Sequence, residues 1–140
     1  MFLVFDTETT GLPKKWNAPI SDSENWPRCI QLAWQLHDIK GELVSSHSYL
    51  LKPEGFTIPF EAEKIHGIST ELAQKIGKNL DEVLKLFISD YNNCGFLVGH
   101  NVKFDINIIG AELFRIGHSI DITKKDVLDT CNELTANVCK

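Results

Sequence analysis

At 140 residues, with 43% hydrophobic and 24% charged side chains, the chain has the makeup of one ordinary globular domain, which excludes a disordered or fibrous protein. A net charge of -5 argues against a protein that holds nucleic acid by a broad basic surface, since that mode works through many Lys and Arg contacts to phosphate. No apolar run nears the roughly 18 residues of a membrane span. The cysteines Cys29, Cys94, Cys131 and Cys139 have neither Cys-x-x-Cys nor zinc spacing, so a reduced, cytoplasmic setting away from membranes is expected.

The chain opens on Phe2–Phe5, an apolar run that reads as a short strand buried on both faces. It runs into Asp6-Thr7-Glu8-Thr9-Thr10-Gly11. Residues 13–28 turn polar and carry Pro13, Pro19 and Pro27, the mark of a surface loop. Trp16 and Trp26 are its large apolar residues; loop anchoring is the first reading for both, base stacking the second. Strict alternation predicts a strand over 30–37, and Lys40-Gly41 turns it into an antiparallel partner near 43–51.

Short helices are predicted over 60–66, stopped by Gly67, and over 70–76, capped by Ser69 and stopped by Gly77. Asn79 and Glu82 form a capping-box-like start for a third helix, whose stripe of Leu80, Val83, Leu84, Phe87 and Tyr91 faces a core. Phe96-Leu97-Val98-Gly99 reads as a buried strand leading into His100-Asn101 and a helix over about 102–116, ended by Gly117. Val127-Leu128 is a last strand edge, and Thr130 with Glu133 opens a further helix. The whole is an α/β domain with a mixed sheet of about five strands, three antiparallel and then two parallel, with flanking helices.

Asp6 and Glu8 lie two apart at a strand end, so both carboxylates point to one side. An isolated Asp-x-Glu is most often turn chemistry. Two carboxylates after an apolar strand are costly to bring together without a cation, however, and hard divalent ions prefer such oxygens. Gly99-His100-Asn101-Val102-Lys103-Phe104-Asp105 forms a second strand-to-helix junction, and the spacing of Asn101 and Asp105 puts both on one helix face. Carboxyl ends of strands are where open α/β sheets collect ligands, so the two acidic elements are expected to meet there.

The segments Phe5–Leu12 and His100–Asp105 resemble the first and second motifs of the DEDD 3′-to-5′ exonucleases, of the ribonuclease H-like superfamily. Ile65-His66-Gly67-Ile68-Ser69 and Val127-Leu128-Asp129-Thr130 fall where that family has similar segments. Among its members the chain most resembles the proofreading epsilon subunits of bacterial DNA polymerase III, which are of the DEDDh type. The resemblance implies two Mg²⁺ or Mn²⁺ ions in the complete enzyme, Asp6 bridging both, and Glu8 holding one ion and the attacking water. It gives Asp105 to the other ion, Leu12 and Phe104 to the terminal base, and the backbone at Thr9 and Thr10 to the terminal sugar.

His66, His100 and Asn101 fall near the substrate on the same grounds, although a structural role for His66 is an equal reading. Single-stranded or 3′-end DNA is the implied substrate, with RNA as the alternative, and a DNA polymerase subunit is the implied partner. The family's third motif, a His or Tyr followed by a fourth Asp, has no counterpart, because residues 131–140 contain no Asp, His or Tyr. Asp121, Asp126 and Asp129 read as loop and cap residues. The expectation is a single exonuclease domain cut short at its C-terminal side and weakly active or inactive as it stands, with a non-catalytic domain that binds a nucleic-acid end or a polymerase as the rival reading. His37, His47 and His118, and the pairs Lys14-Lys15 and Lys124-Lys125, read as ordinary surface or strand-face residues.

Overall fold

The computed structural model describes residues 1–132. Its elements are β1 (Phe2–Thr9), β2 (Cys29–His37), β3 (Leu43–Leu50), α1 (Phe60–His66), α2 (Thr70–Ile76), α3 (Leu80–Asn93), β4 (Phe96–Gly99), α4 (Val102–Arg115), a single 3-10 turn (Ile122–Lys124) and β5 (Asp126–Asp129). The strands form one sheet in the order β3-β2-β1-β4-β5. β1 is antiparallel to β2 and β2 to β3, whereas β1–β4 and β4–β5 are parallel, as the sequence predicts. The helix expected from Thr130 and Glu133 lies outside the described residues.

Helix boundaries follow their caps. Gly67 adopts φ 73° and closes α1 with its N–H on the Glu63 carbonyl. The Ser69 and Asn79 side chains accept from the N–H groups of Leu72 and Glu82 to start α2 and α3. Gly77 stops α2 for a different reason: its φ is -65°, but a Cβ there would lie 2.2 Å from the Ala73 carbonyl oxygen and 2.6 Å from the Lys52 nitrogen. Close packing of α2 on the end of β3 therefore requires the glycine, not a left-handed turn.

β1 is longer than its apolar run, because pairing with β2 continues through Glu8 opposite Gln31. At Glu8/Thr9 the register shifts and Ile30 becomes an extra residue on β2. Cys29 and Ile30 are in consequence buried in succession, and Ile30 joins a satellite cluster with Ile58, Ala62, Ile68 and Ala73 under α1 and α2.

The main core lies on one face of the sheet. Leu3, Phe5, Leu32, Trp34, Leu36 and Leu97 pack there with Phe87 of α3 and Ile106 and Ile109 of α4. The opposite face is a shallow trough of about 710 Å³ whose lining includes Val4, Asp6, Ala33, Gln35 and Val98. This corrects the expectation of strands buried on both faces: Val4 is 37% and Phe96 37% exposed. Four apolar letters in a row cannot distinguish a sandwiched strand from one with a single dry face. Among the described residues no helix is long and apolar enough to cross a membrane.

Candidate active site

The site forms where β1 outruns its parallel neighbour. β4 pairs with β1 only over Phe2–Val4, and the chain then turns at Gly99. A Cβ at Gly99 would come within 2.7 Å of a Val102 methyl and 3.1 Å of the Phe5 carbonyl oxygen, so only glycine allows the approach. From there Asn101 takes φ 55°, ψ 44°, a left-handed conformation that Asn tolerates, and its N–H donates to the Asp129 carboxylate over 2.9 Å. Asn101 thus stands outside the helix, exposed, while Asp105 is buried. The two do not share a helix face, contrary to the i,i+4 expectation, because that spacing holds only once both residues have helical dihedrals.

With the β4 ladder gone, Asp105 takes over the free edge of β1. Its Oδ1 accepts the Thr7 backbone N–H at 3.1 Å and also the Thr7 hydroxyl. Thr7 projects toward the core, opposite to Asp6 and Glu8, as alternation demands. The three carboxylates therefore reach the end of β1 from two sides: Asp6 and Glu8 from the open face, Asp105 from the covered one. Sequence reasoning missed Thr7. Its position between two acids, and hence on the other face, was the available signal.

The acids sense one another. Burial pushes the Asp105 carboxyl up to about 7; the Thr7 hydrogen bonds oppose this, and the charges of Asp6 and Glu8 add to it. Burial first, and then Asp6, also raises Glu8, while His66 draws it down. Among the described residues, however, no three His, Cys, Asp or Glu side chains converge as a ready-made metal cage. One Asp105 oxygen is committed to the Thr7 N–H and hydroxyl, which leaves its other oxygen for a further ligand. An all-oxygen set of this kind still fits a hard divalent ion, because Mg²⁺ is usually held by one or two carboxylates plus water and substrate phosphate rather than by a full protein cage.

Beside these acids lies a pocket of about 290 Å³ whose wall is built by Thr7, Glu8, Thr9, Thr10, Leu12 and Phe104 on one side and by α1, through Ile65 and His66, on the other. Leu12 is 74% exposed at its mouth. His66 is tied down at both nitrogens: Nδ1 accepts the Ile68 N–H at 3.1 Å and Nε2 lies 3.2 Å from the Thr9 carbonyl oxygen. A neutral ring so held carries its proton on Nε2. Histidine here fastens the end of α1 to the end of β1 and lines the pocket as well. The Thr10 N–H is spent on the Arg28 carbonyl and the Thr10 hydroxyl accepts the Arg28 N–H, each at 3.0 Å, while Thr9 and Thr10 both line the pocket. His100 is not in the pocket; it borders the trough beside Asp6, with Nδ1 3.1 Å from the Thr130 hydroxyl.

A buried ion network holds the adjoining loop. Glu112 of α4 is fully buried, receives the Arg28 Nε at 2.9 Å and pairs with Arg115, whose Nη2 also donates to the carbonyls of Ser23 and Trp26 at 2.6 and 2.7 Å. The reading of Asp121, Asp126 and Asp129 separates: Asp121 caps the 3-10 turn by accepting the Thr123 N–H at 2.9 Å, Asp126 begins β5, and Asp129 ends it by capping Asn101 and Cys131.

Comparison with known proteins agrees with this architecture. Residues 3–137 match the model of the family described as Exonuclease (RNase_T). The chain is 31% identical over 129 residues to DNA polymerase III PolC-type from Clostridium perfringens (strain 13 / Type A), covering 92% of this chain and 8% of that protein. It is 32% identical over 114 residues to DNA polymerase III subunit epsilon from Rickettsia prowazekii (strain Madrid E), covering 79% of this chain and 43% of that protein. The chain thus spans less than half the length of these relatives. In fold it matches E. coli exonuclease I in complex with a dT13 oligonucleotide, with a TM-score of 0.76 at 20% identity, over 98% of this chain and 29% of that one. The zinc ion bound form of the E. coli ExoI–ssDNA complex matches with a TM-score of 0.73 at 20% identity, over 92% and 27%.

Proposed function

Because this chain belongs to the exonuclease family, we propose that it serves as the nuclease domain that removes nucleotides from the 3′ end of DNA by metal-assisted phosphodiester hydrolysis, in the manner of proofreading. The observation that carries this reading is the pocket itself. It has the volume for one nucleotide, has Glu8 in its wall and apolar Leu12 and Phe104 flanking its mouth, and adjoins Asp105 through Thr7.

Asp6, Glu8 and Asp105 would hold the ions, with Mg²⁺ or Mn²⁺ supplying Lewis-acid stabilisation of charge at phosphorus and a more acidic water. The remaining work falls to the chain. Leu12 and Phe104 grip the terminal base, and the His66–Thr9 bond fixes the pocket wall against β1. Asp105, anchored on Thr7, keeps the strand end from fraying where β4 no longer supports it. DNA is favoured over RNA by the DNA polymerase relatives, which also make a polymerase subunit the first partner to seek.

The test is shortening of a 5′-labelled DNA strand by the full natural reading frame, with release of nucleoside 5′-monophosphates. Glu8→Gln and chelation of divalent ions are each expected to slow it by at least about 100-fold. An RNA strand degraded faster than DNA, or equal rates with and without metal, would overturn the reading.

A second reading is favoured by the commitment of one Asp105 oxygen to Thr7: a domain that binds a DNA 3′ end without cutting it. Tight, metal-independent binding of a DNA end with no cleavage by the full reading frame would select that alternative.

A further inference from the structure

Resting on the proposed reading of the pocket, we propose that Trp16 is a stacking platform for the base next to the terminal nucleotide of a single strand. The loop of residues 13–28 contains two tryptophans, and the structure gives them opposite roles. Trp26 is 3% exposed and its Nε1 donates to the Pro19 carbonyl over 3.0 Å; it anchors the loop. Trp16 is 53% exposed and lies with its ring centroid 5.6 Å from that of Phe104, tilted by 53°. Phe104 walls the pocket, so Leu12, Phe104 and Trp16 continue one apolar strip outward from it.

An exposed tryptophan is useful for recognition only if it is held. Asn25, buried to 6% exposure, clamps the backbone immediately before Trp16: its Oδ1 accepts the Lys15 N–H at 2.7 Å and its Nδ2 donates to the Lys15 carbonyl at 2.9 Å. Arg115 pins the far end of the loop through the Ser23 and Trp26 carbonyls. The ring is therefore pre-positioned, which lowers the ordering cost of binding. Stacking on an indole is indifferent to base identity and suits a strand of any sequence. It also suits a chain of net negative charge, since stacking does not need a basic surface.

Intrinsic fluorescence isolates this residue, because Trp26 and Trp34 are 3% and 1% exposed and only Trp16 can meet a base. The probes are thymidine 5′-monophosphate and a fluorescein-labelled oligothymidylate with phosphorothioate terminal linkages, both in magnesium. The oligonucleotide, followed independently by anisotropy, is expected to quench tryptophan emission, and the mononucleotide to leave it unchanged. Trp16→Ala should weaken oligonucleotide binding by about 5- to 100-fold without altering binding of the mononucleotide. Trp16→Phe should keep most of the affinity and lose the emission change. Oligonucleotide binding with no quenching, or equal affinity in Trp16→Ala, overturns the inference while leaving the nuclease reading intact. Failure of the wild type to bind the oligonucleotide at all by anisotropy overturns both.

Discussion

The two faces of the sheet handle the same strands in opposite ways. On the covered face, Phe5 and Trp34 meet Phe87 edge to face at 5.3 and 5.5 Å. On the other face, Val4, Val98 and Ala33 lie beside Asp6 along an open trough. The difference teaches why an acidic site can exist at the end of an apolar strand: period-two alternation sends Asp6 and Glu8 to the side where water and cations can reach them. Asp105 breaks this division by coming from the dry side, and its elevated pKa is the result.

The covered face, not the open one, is expected to carry the stability. Phe87 is fully buried between Phe5 and Trp34, so Phe87→Ala should cost about 3–5 kcal/mol by transfer and cavity effects together. Urea unfolding of the metal-free chain measures this directly. A loss below about 1 kcal/mol would mean that the two faces are not distinct in energy.

Asp105 is a carboxylate housed on the dry side of the sheet. Its folded-state pKa is raised to about 7 from an unfolded value of about 3.9. The neutral form suits the metal-free fold, so the associated stability is fully present below pH about 4 and is lost as pH rises through about 7. Between pH 5 and pH 8 the metal-stripped chain should lose about 2–3 kcal/mol that Asp105→Asn does not lose, since the amide can still accept the Thr7 N–H and never ionises. Parallel pH profiles of the two proteins would refute this.

Much of this was legible in the sequence where one local rule acts alone. Ser69, Asn79 and Gly67 set helix ends by bonds to residues three or four away, and the alternation over 30–37 gave β2 and its core face. Asp6, Glu8 and Phe104 reached the strand end and pocket expected of them. What escaped depends on partners distant in the chain. Glu112 sits in an apolar stretch of α4, which is a visible anomaly, but its partner Arg28 lies 84 residues earlier. Asn101 was read as helical because nothing in its neighbours announces the bond to Asp129 that turns its backbone left-handed. His100 likewise borders the trough beside Asp6 through a partner thirty residues on, the Thr130 hydroxyl at 3.1 Å from its Nδ1.

The smallest effect concerns the open face itself. Val4 is 37% exposed in a row with Val98 and Leu128, the parallel partners across β1, β4 and β5. Val4→Thr keeps the β-branched shape and adds a hydroxyl. In contact with water that hydroxyl is solvated, and the cost in the 140-residue chain should stay within about 0.5 kcal/mol. Were the same side chain covered, the hydroxyl would need a buried partner and the penalty would rise to about 1–3 kcal/mol. The substitution therefore reads out occupancy of the trough: made with a candidate polymerase partner bound, a cost that grows toward the upper figure reports that something has seated over Val4, next to Asp6. A cost that stays small in every setting means that the face beside the acids remains wet throughout.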